Sequence, residues 1–135
     1  MSVVGSTKNN SQGMHVLYFY NVEIERVVDG DTFIALFDMG FSLYHRTRIR
    51  LIDIDAPETW RPANQRERDA GIHTTAFVSE LLSDKKIFCQ SQKLDVYGRA
   101  LGILYYEDNG VMVNINELIK QFLNDNNYHK SELRK

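Results

Sequence analysis

Ten residues from Arg50 to Thr59, RLIDIDAPET, carry one guanidinium and three carboxylates, those of Asp53, Asp55 and Glu58. A second acidic turn, Asp29-Gly30-Asp31-Thr32, adds two more carboxylates. Calcium takes about six to eight oxygen ligands, so carboxylates and main-chain carbonyls at strand ends suit it. Arginine suits a phosphate, because its planar fork donates paired hydrogen bonds and stays charged. A soft transition-metal site is not signalled: His15, His45, His73 and His129 are scattered, and Cys89 stands alone.

By themselves these residues are ambiguous. Asp-Gly is first of all a hairpin turn. Unbroken alternation along a strand sends Arg50 and Asp55 to opposite faces. They converge only if the chain turns near Ile54 to Ala56, as Pro57 encourages. A structural turn and a reaction site both remain open on residue types and spacing alone.

The elements that would position these groups can be read from the patterning. Asn21 to Asp29 alternates and is β-rich, and Thr32 to Phe37 follows the turn as a second strand. Phe41 to Asp53 reads as a long third strand that Pro57 must end. A helix is expected from about Asn64 to Leu82, with Ala70, Phe77, Val78 and Leu81 on one face; Gly71 weakens it slightly. Lys86 to Gln90 and Ala100 to Tyr106 read as the fourth and fifth strands. Asn114 with Glu117 gives a capping pattern that opens a second helix, with Ile115, Leu118, Ile119, Phe122 and Leu123 on one face. The fold class expected is mainly β with helices, α+β: a five-stranded Greek-key barrel of OB type.

With 135 residues and 43% hydrophobic content the chain has room for one core. Residues 1–17 read as a disordered tail, with Met14 an alternative start, 18–123 as the domain and 124–135 as a polar C-terminal tail. No run reaches the ~18 apolar residues of a membrane span, and no signal peptide is visible at the N-terminus. A single cysteine fits a reducing compartment, and the location expected is cytoplasmic or undetermined; the chain is expected to be a monomer. The net charge of −2 argues against nucleic-acid binding over the whole surface but not against a local site.

Three segments in order, V-D-G-D-T (28–32), R-L-I-D-I-D-A-P-E-T (50–59) and D-V-Y-G-R-A-L (95–101), resemble the signature segments of the staphylococcal nuclease family. The likeness runs over about residues 21–123 and implies a five-stranded OB barrel with flanking helices. It implies a calcium-dependent phosphodiester hydrolase acting on single-stranded DNA or RNA. Arg50 and Arg99 would clamp the phosphate and Glu58 would be the general base. Asp31, Asp55 and the main-chain carbonyl of Ala56 would hold calcium, with Asp29 nearby. Tyr97 and Leu51 would contact the nucleotide. These roles are chemically coherent, since a base, a cation and two guanidinium forks need no Ser, Cys or His nucleophile. The alternative is a catalytically weak nucleic-acid- or protein-binding module of the same fold, against which the intact acid and arginine set speaks.

Departures from the family pattern are expected to matter locally. Ala56 replaces a usual threonine, and Val96 stands where a lysine commonly precedes the tyrosine. The C-terminal helical region is shortened, leaving Tyr128 as a candidate base platform or a frayed surface residue. Trp60 reads as a cover on the barrel, with base stacking as the other option.

Overall fold

The computed structural model describes residues 18–94 and 98–135. Strands β1 (Tyr18–Asp29), β2 (Thr32–Asp38) and β3 (Tyr44–Leu51) form an antiparallel meander. Helix α1 (Gln65–Leu82) follows, then β4 (Ile87–Leu94) pairs with the free side of β1, and β5 (Ala100–Asp108) pairs with β4. A parallel pairing of β3 with β5, Arg50 opposite Leu101, closes these strands into a barrel. Strand β6 (Val111–Asn114) is added outside β5, and helices α2 (Ile115–Asp125) and α3 (Lys130–Leu133) complete the chain.

Alternation decides which side chains fill the barrel. Phe33, Ala35 and Phe37 of β2 and Ile49 and Leu51 of β3 point inward, while Arg46, Arg48 and Arg50 point out. Register shifts in β1 at Ile24/Arg26 and Val27/Asp29 interrupt its pairing with β2 just before the acidic turn. Gly102 lets β5 pack closely inside the barrel: a Cβ there would lie 2.6 Å from the Cys89 sulfur. Burial pushes the Cys89 thiol up to about 12, so it is an inert core group.

The long third strand expected over 41–53 is shorter. Phe41 and Ser42 have φ of 55° and 63°, and Asp53 has φ of 61°, so left-handed residues end the strand on both sides. The expected α1 and α2 are present, each with its asparagine, Asn64 or Asn114, accepting from the N–H three residues on. Residues 124–135, expected as a polar tail, fold back instead. Leu133 is buried, Asn64 donates to its carbonyl at 2.8 Å, and Arg134 reaches Glu67 of α1.

Candidate active site

The acidic turn between β1 and β2 and the segment after β3 meet at one end of the barrel. Leu51 N–H donates to the Asp31 carbonyl at 2.9 Å, and Ile52 N–H donates to the Gly102 carbonyl at 3.1 Å. Buried Asn116 at the start of α2 locks this seam, accepting from Leu104 N–H and donating to the Ile52 and Gly102 carbonyls. Gly30 keeps the turn close to α1, since a Cβ there would meet Thr74 at 2.5 Å.

Arg50 folds over the turn that follows its own strand. Its Nη1 donates to the carbonyls of Leu51, at 3.1 Å, and Ile54. The same guanidinium lies 3.3 Å from an Asp31 oxygen and 3.7 Å from an Asp55 oxygen. The convergence that strand alternation forbids is thus achieved by the left-handed Asp53 and the turn it starts. Asp31 is buried, and each of its oxygens has a partner: one accepts from the Thr32 hydroxyl at 2.8 Å, the other from Ala56 N–H at 2.7 Å. Asp29 accepts from the backbone N–H and hydroxyl of Thr59. Burial still raises its carboxyl above the ordinary value, and neighbouring Asp31 and Glu58 add to the rise.

Glu58 is held from behind by a carboxylate the sequence did not single out. Glu67, wholly buried in the first turn of α1, accepts from Glu58 N–H at 3.0 Å and Ala63 N–H at 2.7 Å. The Arg134 fork closes on both its oxygens, at 2.7 and 2.9 Å. That fork, against the cost of burial and with help from the two N–H donors, lowers the Glu67 carboxyl to about 2. Gly71 lets α1 press against this loop, because a Cβ would come within 3.0 Å of the Glu58 backbone. The glycine that weakens the helix pattern is therefore a packing requirement.

Two further cations come from the refolded C-terminus. Lys130 Nζ lies 2.9 Å from Asp55 and 3.2 Å from Glu58, and Arg134 Nη2 lies 3.3 Å from Glu58. Burial works against the Lys130 charge, but the hydrogen bonds and fields of Asp55 and Glu58 outweigh it and raise its pKa. Among the described residues, no three acidic, His or Cys groups stand close enough to hold a metal by themselves. The donor set is nonetheless of the right kind. Asp31, Asp55 and Glu58 are hard oxygen donors whose gathered charge is here met by Arg50 and Lys130, and main-chain carbonyls lie among them.

The remaining sequence-predicted residues divide. Arg99, half-buried, lies one residue before β5, beside the β3–β5 seam. Tyr97 and Val96 lie outside the described residues. Leu51, expected against the nucleotide, is 1% exposed and belongs to the core; what it offers the site is the carbonyl that accepts from Arg50. Ala56 is fully buried. Tyr128 is neither frayed nor free to stack on a base: its hydroxyl pairs with His73 at 2.7 Å and its ring packs edge-on to Phe122. Trp60 lies beside Arg26 of β1 and is 67% exposed.

Comparison with known proteins extends the likeness. The family model described as staphylococcal nuclease homologue matches residues 48–132, which contain Arg50, Asp55, Glu58 and Arg99. Protein ParB of Escherichia coli is 36% identical over 83 residues, 62% of this chain and 40% of that protein. Micrococcal nuclease of Shigella flexneri is 31% identical over 83 residues, 62% of this chain and 41% of its own length. An uncharacterized endonuclease of Escherichia coli O157:H7 is 36% identical over 91 residues, 67% of this chain and 51% of that protein. The chain thus spans about half the length, or less, of these relatives.

Proposed function

The chain belongs to the staphylococcal nuclease family, and from that premise we propose that it is a calcium-dependent endonuclease cutting single-stranded DNA or RNA as a monomer. The observation that carries this reading is the Arg50 guanidinium, 3.3 Å from Asp31 and 3.7 Å from Asp55, with Glu58 three residues further along the same loop. Glu58 takes the proton of the attacking water. Arg50 and Arg99 donate to the phosphoryl oxygens, where charge grows toward the transition state and paired donors stabilise it most. Asp31 and Asp55, with the Ala56 carbonyl as a third donor, would hold calcium, which when bound adds positive charge at the phosphate. Tyr97, outside the described residues, would bind a terminal phosphate of the nucleotide.

One observation favours a second reading. Lys130 and Arg134 occupy Glu58, and Lys130 occupies Asp55 as well, so neither carboxylate is open to a water or a cation while those contacts hold. A binding module with little turnover would keep such contacts.

Incubating the protein with single-stranded DNA and RNA in calcium, magnesium or chelator separates the readings. Cleavage is expected with calcium, little with magnesium, whose tight octahedral shell fits a loop site poorly, and none in chelator. Equal rates with both ions, or full activity in chelator, contradict the calcium role. Binding without cutting under every condition selects the module. Calcium should also raise Tm, because it binds the folded protein alone.

A further inference from the structure

Beside the candidate site, the outer face of the barrel carries an aromatic and two arginines that the reaction does not use. Arg46, Arg48 and Arg50 project from the same face of β3 at every second residue. Arg48 therefore stands about 7 Å from Arg50 along the strand. Arg48 pairs with Ile34 of β2, and Ile34 pairs with Arg26 of β1, so the two arginines flank one row across three strands. The Arg26 guanidinium lies 5.5 Å from the centre of the Trp60 ring, and Arg26, Val28, Arg48 and Trp60 line an open hollow of about 270 Å³.

The indole among these groups is kept in a costly state for a surface with no partner. Arg46 is neutralised by Glu25 at 2.6 Å, but among the described residues neither Arg26 nor Arg48 pairs with a carboxylate. Trp60 exposes 67% of its surface, although an indole left in water forgoes the gain of burial. Trp60 also follows Glu58 by two residues, on the loop that Glu67 and Gly71 hold in place. An exposed indole among unneutralised arginines, one strand step from a phosphate-directed arginine, matches a single strand in both its parts. A base can stack on the ring and the phosphate can meet the guanidinium.

We propose that Trp60, Arg26 and Arg48 form a second subsite, which stacks one unpaired base and grips one phosphate of the strand flanking the bond cut beside Arg50. The inference rests on the nuclease reading for its direction but not for its chemistry. A duplex keeps its bases stacked inward and so cannot use the indole.

The test is binding in chelator, where nothing is cut, of an oligothymidylate of about a dozen nucleotides, a dinucleotide too short to reach the hollow, and a duplex. Trp60 is the only tryptophan, so its fluorescence should be quenched by the long single strand and not by the dinucleotide. Trp60→Ala should weaken binding of the long strand on the order of 10-fold, and Trp60→Phe should restore most of it. Arg48→Gln should lower the salt slope of that binding by about 0.7. The dinucleotide should bind all forms alike. Unquenched fluorescence, variants that bind the long strand as the wild type does, or a duplex bound as tightly would overturn the subsite. Should Trp60→Ala fold poorly, the wild-type quenching and Arg48→Gln decide. A wild type that binds and quenches but never cuts removes the nuclease reading and leaves the subsite; one that cuts without quenching does the reverse.

Discussion

Arg50 serves two purposes with one guanidinium. It ties down the carbonyls of Leu51 and Ile54, and it faces Asp31 and Asp55. A lysine offers the charge but cannot span both sets of acceptors. Arg50→Lys should therefore be nearly as damaging as Arg50→Ala, with turnover on single-stranded DNA down by on the order of 10² or more. Wild-type turnover in the lysine variant would remove Arg50 from the clamping role. Glu67 makes a different prediction, about stability. Its folded value of about 2 lies below the ordinary 4.5. The stabilisation is thus fully present above about pH 4.5 and is lost as pH falls toward 2, up to roughly 3 kcal/mol. Denaturant unfolding at neutral and acid pH should show that loss in the wild type. Glu67→Gln should be weakened already at pH 7 and change less with acid; a parallel pH dependence in both would contradict the assignment. That Arg50 and Asp55 need a turn to meet was legible from strand alternation, but the turn comes at the left-handed Asp53, before the Ile54 to Ala56 stretch that Pro57 suggested. Glu67 was not legible: Asn64 and Glu67 spell a capping pattern, but nothing local says that the glutamate reaches past its own helix to Glu58 and Arg134.

The elements that place these groups were legible where their periodicity is long. Helices α1 and α2 and the five barrel strands each carry a repeating apolar face. Strand β6 was missed although Asn109-Gly110 between Tyr105-Tyr106 and Val111-Met112-Val113 is a hairpin signal; at 4 residues it is too short to alternate convincingly. Helix α3 has only Leu133 as an apolar anchor and no side-chain cap, so its residues read as a tail. Yet α3 delivers Lys130 to Asp55 and Glu58. Removing that ammonium should leave Asp55 open to a cation. A unit charge about 4 Å away is worth about 1 to 4 kcal/mol at surface-like screening, enough for roughly tenfold. Calorimetry should find calcium bound about tenfold more tightly by Lys130→Met than by the wild type. Unchanged or weaker binding would mean that Lys130 positions the carboxylates rather than competing for them.

At the scale of the whole molecule, a net charge of −2 leaves attraction for a polyanion to local arginines. Few phosphate contacts imply weak binding with a measurable salt slope. No helix among the described residues is long and apolar enough to cross a membrane. The barrel closes by the β3–β5 pairing, with Arg50 at that seam and the Asp55 side chain beside it 68% exposed. A strand lying across such a seam can be cut anywhere along its length. The most direct measurement is the linearisation of a circular single-stranded DNA in calcium by the wild type and by Glu58→Gln, with melting profiles recorded on the same samples. The wild type should open the circle, and Glu58→Gln, equally folded, should do so on the order of 10² more slowly. A circle that stays intact while a linear strand is trimmed from one end, or a Glu58→Gln protein that cuts as fast as the wild type, would contradict an endonuclease built on Arg50, Arg99 and Glu58.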